Sequence, residues 1–235
     1  MSVFRFRHFE IRQESSAMKV GTDAMVLGAL AEGNDPKSIL DIGTGTGVLA
    51  LMMAQKFPNA TLQAIDIDPS AADEARCNAE NSPWTDRICV YQSDLRDFQS
   101  AEKYALIISN PPYYTNGLPN PDRTRALARH EAALPFDVLF KKVSQLLKED
   151  GVFWMIAPSS EMETLHAAAE QVKLWPTTRI DIFGKEEGPI VRNVFCFAFN
   201  RLGNTTHKQL VIRTSNGHYT EEYKALTIAF HGVRV

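Results

Sequence analysis

Cysteine is scarce in this sequence: Cys77, Cys89 and Cys196 in a chain of 235 residues. The number is odd and the spacings match no metal-ligand set. That argues against a disulfide framework or a cysteine metal site, and the expectation is three reduced, buried small hydrophobes and no metal. Long apolar runs are missing as well. Nowhere do eighteen or so apolar residues stand together, and the opening Met1-Ser2-Val3-Phe4-Arg5-Phe6-Arg7 holds no signal-peptide core. No membrane partner is expected, and a cytoplasmic location is. Positive charge is in short supply: 25 Lys and Arg against 28 Asp and Glu leave a net charge of −3. A nucleic-acid partner therefore has to meet a local basic patch and not the field of the whole chain. Internal repeats and low-complexity tracts are absent, and no obligate protein partner is evident.

What the sequence does contain is an ordinary globular composition, 44% hydrophobic and 23% charged, long enough for one domain with a large core. The spacing predicts a strand or short hairpin over 3–12 with a basic face. It then predicts a short helix around Ala24–Leu30 capped by Thr22 or Asp23. Ser38–Gly47 opens a strand–loop–helix unit continuing through Phe57, followed by a strand at Thr61–Ile65, a helix at Pro69–Asn81, and strands at Ile88–Gln92 and Tyr104–Ile108. A polar loop over 114–135 precedes a helix at Phe136–Leu147 and a strand at Val152–Ala157. A helix at Glu161–Val172, strands at 177–183 and 191–199 joined as a hairpin, and a closing helix at Thr220–Phe230 complete the reading. This is an α/β chain: a Rossmann-like, doubly wound, seven-stranded sheet, mostly parallel, with an antiparallel final hairpin strand. Residues 1–235 read as one domain, with a catalytic core at 36–200 flanked by extensions at 1–35 and 201–235.

Two stretches carry chemistry. Asp41-Ile42-Gly43-Thr44-Gly45-Thr46-Gly47 places glycines where a tight turn lets a ligand lie on the backbone, with a helix N-terminus behind it. Asp66, at the end of the next strand, is suited to accept from two ribose hydroxyls, so the pair points to an adenosine-type cofactor. The dinucleotide fingerprint puts its third glycine one residue later. Asp41 ahead of the loop would repel a pyrophosphate and favour an ammonium or sulfonium. The other stretch is Asn110-Pro111-Pro112-Tyr113, where two prolines end a buried strand at its carboxyl edge. The Asn110 side-chain oxygen and the Pro111 carbonyl can accept from one –NH2 group, and Tyr113 can stack on a planar ring. The competing reading is a plain strand-ending turn. Asp94, at the end of a third strand, either accepts from an adenine amino group or caps its own turn. His130 is a possible acid–base group that amine methylation does not need.

Together these motifs resemble the class I S-adenosylmethionine-dependent methyltransferases that act on planar amino groups. Phe6-Arg7-His8-Phe9, Ala17–Asp23 with Leu27-Gly28-Ala29, and Tyr219–Thr227 are similar to the bacterial tRNA(Val) adenine-N6 methyltransferases. The resemblance implies S-adenosylmethionine as cofactor and, as substrate, tRNA at the adenosine 3′ of the anticodon. It assigns Asp41, Gly43, Gly45 and Gly47 to the methionine end of the cofactor, Asp66 to the ribose and Asp94 to the adenine. Lys19, Gly21 and Thr22 would lie at the cofactor mouth. Asn110, Pro111, Pro112 and Tyr113 would hold a flipped-out base. Arg5, Arg7, Arg12, Arg123, Arg125 and Arg129 are candidates for a basic rim that grips the RNA. Methylation of an rRNA base or a protein glutamine, and a non-catalytic tRNA-binding module, are the alternatives.

Overall fold

The structure is a computed structural model that describes residues 2–14, 19–111, 134–200 and 203–231. Strands β1 (Val3–Arg5) and β2 (Glu10–Arg12) pair antiparallel in a small hairpin of their own. The chain then forms α1 (Thr22–Leu30), β3 (Ser38–Ile42), α2 (Val48–Lys56), β4 (Thr61–Asp66), α3 (Pro69–Glu80), β5 (Ile88–Gln92) and β6 (Tyr104–Ser109). From residue 136 on come α4 (Phe136–Leu146), β7 (Leu147–Pro158), α5 (Met162–Gln171), β8 (Trp175–Phe183), β9 (Ile190–Ala198), β10 (Thr206–Val211) and α6 (Glu221–Thr227).

The main sheet has the order β10-β8-β9-β7-β6-β3-β4-β5, with β9 antiparallel to both neighbours and every other pairing parallel. Its central strands are apolar on both faces because helices cover both. Ile39, Leu106 and Trp154 pack with Leu27, Leu49 and Met53 beneath α1 and α2. Leu40, Ile107, Phe153 and Phe197 pack with Phe140 and Leu165 beneath α4 and α5. The doubly wound reading therefore holds, with an eighth strand. β10 is the addition. Thr206, His207, Lys208 and Gln209 are exposed and only Leu210 is buried, so this edge strand has almost no apolar pattern to read.

Two local expectations change. Gly21, with extended backbone and no side-chain bond, stands at the N-cap of α1 in place of Thr22 or Asp23, because Asp23 is drawn into an ion pair with Arg192 at 2.8 Å. Only Cys196 is buried; Cys77 is half-buried and Cys89 exposed, on the edge strand β5. Among the described residues, no helix is long and apolar enough to cross a membrane.

The chain order reverses between β3 and β6, and such a switch point opens a crevice at the carboxyl ends of the strands. Ile42 is in register with Ser109 on one side and Ile65 on the other. Gly43, Asn110 and Asp66 therefore leave three adjacent strands at one level, each roughly 4.8 Å from the next.

Candidate active site

Gly43, Gly45 and Gly47 have φ of +70°, +56° and +82°, the left-handed region that side chains other than glycine's resist. They do different jobs. A Cβ on Gly43 or Gly45 would meet no described atom within 4 Å, so the loop is folded for conformation with open room above it. A Cβ on Gly47 would lie 3.3 Å from both Cα and Cβ of Ala75, so that glycine lets α3 pack against the loop. The N–H groups of Gly43 and Thr44 both donate to the Ile65 carbonyl, at 2.9 and 3.0 Å, which fastens the loop to β4.

Asp66 closes the other side of the loop. Its Oδ2 accepts from the Gly45 N–H at 2.8 Å and its Oδ1 from the Asp68 N–H at 2.9 Å. Each carboxylate oxygen keeps acceptor capacity for a further donor, as two ribose hydroxyls require. Burial raises the Asp66 pKa above the ordinary carboxylate value.

Asp41 lies deeper and is fully buried under the first turn of α2. Its Oδ2 accepts from the Thr44 hydroxyl at 2.6 Å and the Ala50 N–H at 3.1 Å. Among the described residues, Oδ1 has no hydrogen-bond partner. Burial pushes the Asp41 carboxyl up to about 7, and the charge of Asp66 adds to the rise. An unpaired buried carboxylate oxygen beside an open glycine loop is the arrangement a cationic ligand completes, since an ammonium or sulfonium would return the ionisation to its usual range. The residues present fit S-adenosylmethionine: room over Gly43 and Gly45, an acid for the cationic end and an acid for the ribose.

Asn110 is half-buried and Pro111 buried, at the end of β6. The neighbouring Ser109 hydroxyl donates to the Ile42 carbonyl at 2.9 Å and ties this strand end to the glycine loop. Pro112, Tyr113, Arg123, Arg125, Arg129 and His130 lie outside the described residues. Asp94 is engaged in its own turn: its Oδ1 accepts from the Arg96 N–H at 2.8 Å, and the Arg96 guanidinium stands 3.6 Å from Oδ2. Ser93 donates its N–H to the Asp66 carbonyl at 2.8 Å, so that turn starts beside the ribose acid.

Lys19, Gly21 and Thr22 are exposed where the chain enters α1, and the Val20 N–H donates to the Gln13 side chain at 2.8 Å. Of the arginines predicted for the basic rim, Arg5, Arg7 and Arg12 are described and all three are exposed on the hairpin, Arg5 in a surface ion pair with Glu10 at 3.0 Å. The residue that sequence reasoning missed is Asn78. It is 2% exposed, donates to the carbonyls of Arg12 and Thr46 and accepts the Arg12 N–H, all at 2.9 Å. One amide thus joins the hairpin to the glycine loop. Its signal was available: Asn78 interrupts the Ala71–Ala75–Ala79 stripe, where a polar residue on a buried face needs internal partners.

The sequence pattern of the methyltransferase small domain family matches residues 16–173. The chain is 39% identical over 229 residues to a protein of Bacteroides thetaiotaomicron named tRNA1(Val) (adenine(37)-N6)-methyltransferase, covering 97% of this chain and 96% of that one. It is 41% identical over 226 residues to a protein of the same name from Pedobacter heparinus, covering 96% of each. Among solved structures it is similar to a predicted O-methyltransferase from Agrobacterium tumefaciens, with a TM-score of 0.66 at 18% identity over 88% of this chain and 96% of that one. It is also similar to a precorrin-6y C5,15-methyltransferase from Geobacter metallireducens, with a TM-score of 0.53 at 14% identity over 79% and 93%. The structural likenesses carry the fold.

Proposed function

From the fact that this chain belongs to the methyltransferase small domain family and is an S-adenosylmethionine-dependent methyltransferase, we propose that it methylates N6 of an adenine in tRNA, at the adenosine 3′ of the anticodon. The observation that carries the reading is the row of strand ends. Gly43, Asp66 and Asn110 emerge side by side at the switch point, which supports a cofactor site next to an amine-binding tetrad that begins at Asn110. The relatives' names supply the tRNA substrate class.

S-adenosylmethionine, when bound, supplies an electrophilic methyl group. The chain's residues do the rest by positioning. Asp41 and the glycine loop orient the cationic end, and Asp66 holds the ribose. An adenine amine is a poor nucleophile because its lone pair is delocalised into the ring. The Asn110 side-chain oxygen and the Pro111 carbonyl take both N–H bonds of that amine and turn its lone pair out of conjugation, towards the methyl group. Tyr113 stacks the flipped base. The proton leaves to water after transfer, so no residue need act as a base, and proximity with electrostatics accounts for the rate. The same reading takes residues 1–235 as one methyltransferase domain.

The test is methyl transfer from radiolabelled S-adenosylmethionine to total RNA lacking this modification, with wild type and Asn110→Ala. Label should appear as N6-methyladenosine in one tRNA and fall at least about 100-fold in the variant, the scale of losing an oriented polar contact in the transition state. Label in rRNA or in a protein glutamine would replace this reading with the corresponding alternative. Cofactor binding without any transfer would leave a binding module.

A further inference from the structure

A second opening lies on the same edge of the sheet, past β7. It is a cleft of about 240 Å³, below the roughly 300–1,000 Å³ of sites that engulf a drug-sized ligand and suited to one ring system. The buried Val26 of α1, Ile156, Ile182 and Ile212 form its floor, and Val191, 38% exposed, stands in its wall with Arg192 and Arg213. Its place follows from register. Ser109 is paired with Met155, so Ile156 stands level with Asn110 on the adjacent strand. Arg192 opens onto the same edge from β9, two strand spacings, or ~10 Å, from β6.

The two arginines offer different chemistry. Arg213 has its guanidinium 4.2 Å from the centroid of the Tyr219 ring, and its Nη1 donates to the Gly217 carbonyl at 2.8 Å. Among the described residues it pairs with no carboxylate. It is a flat cation fixed in place, a surface on which nucleic-acid bases stack. Arg192 donates Nε to Asp23 at 2.8 Å, which sets a carboxylate acceptor beside guanidinium donors at the cleft. Acceptor next to donor is the pattern that base edges present in complement.

We propose that this cleft receives the base of a nucleotide flanking the methylated adenosine. The ring lies against Val191 and Arg213, and its edge is read by the Asp23–Arg192 pair. The site would make the enzyme selective for the RNA sequence beside its target, and it rests on the tRNA reading above. A protein with a net charge of −3 would thus concentrate part of its RNA affinity at one flat cation past the end of β10, four strand spacings, or ~19 Å, from β6 along the same edge.

The experiment measures methyl transfer to full-length tRNA(Val) lacking the modification and to versions with one abasic nucleotide on either side of the target adenosine. For wild type, removing one particular flanking base should raise KM by roughly 5- to 150-fold, the span of one stacked base. Arg213→Ala should show the same rise on intact RNA and little further loss on the abasic RNA, with cofactor affinity unchanged. Arg213→Lys should behave like the alanine variant, because it keeps the charge and loses the plane. Equal transfer by wild type to all abasic RNAs overturns the proposal without needing any variant to fold. A fully active Arg213→Lys also overturns it, in favour of a phosphate contact. No transfer to intact RNA would instead refute the underlying tRNA reading, and the two failures are distinguishable.

Discussion

Asp41 shows what burial does to a single carboxyl. With a pKa near 7, it is largely protonated in the ligand-free protein at mildly acidic pH. A cationic cofactor requires it ionised, so binding expels a proton. Cofactor affinity should hold constant above about pH 7 and fall by up to about tenfold per pH unit below it. Isothermal titration in two buffers of different ionisation enthalpy counts the proton directly, and Asp41→Asn should bind weakly with a flat profile. The stability of the ligand-free protein runs the other way. The folded pKa lies above the ordinary 3.8, so the folded state binds more protons than the unfolded state between that value and about 7. Stability is therefore lost as pH rises through that window. Asp41→Asn should remove this loss, and thermal melts from pH 5 to 8 should show the variant gaining on wild type. A constant difference would mean that Asp41 titrates normally.

At the level of elements, the hairpin β1–β2 shares no ladder with the main sheet and is held by packing and a few specific bonds. Asn78, in the last turn of α3, supplies two of them, both to Arg12, and a third bond to the Thr46 carbonyl of the glycine loop. Asn78→Ala would take this partner from the Arg12 N–H and carbonyl and from the buried Thr46 carbonyl, at a cost of about 2 kcal/mol. The loss should be local in character. Amide exchange at Arg12 should accelerate far more than at β3 or β6, and cofactor affinity should weaken because the Thr46 carbonyl belongs to the glycine loop. Uniform acceleration across the molecule would show that the hairpin does not open separately. The element that sequence periodicity read least well, β10, was obscure for a related reason. An edge strand with one buried residue is specified by its neighbour β8 and not by its own pattern.

At the scale of the whole molecule, the proposed tRNA substrate requires an acidic protein to hold a polyanion through a few placed cations. Arg5, Arg7 and Arg12 are the described, exposed members of the basic rim read from sequence, and of these Arg7 and Arg12 form no ion pair with a carboxylate among the described residues. Charge reversal at both should weaken tRNA binding and lower the slope of log K against log salt by about 1 to 2. An unchanged slope would remove the hairpin from the RNA footprint. The sequence by itself determined the strand ends, because glycine, proline and acidic residues act through local geometry: Gly43, Gly45 and Gly47 by positive φ, Pro111 by ending β6, Asp66 by closing β4. It also determined the two-sided apolar strands, and hence the doubly wound fold. Only the tertiary structure decided which of those ends are neighbours. The Ile42–Ser109 register depends on packing between segments sixty-seven residues apart, which local pattern does not encode. The same holds for Asn78 reaching Thr46, for the unpaired oxygen of Asp41, and for the cleft that joins Val26 to Arg213. Each is a contact between surfaces that the chain makes separately and that only burial of a shared core brings together.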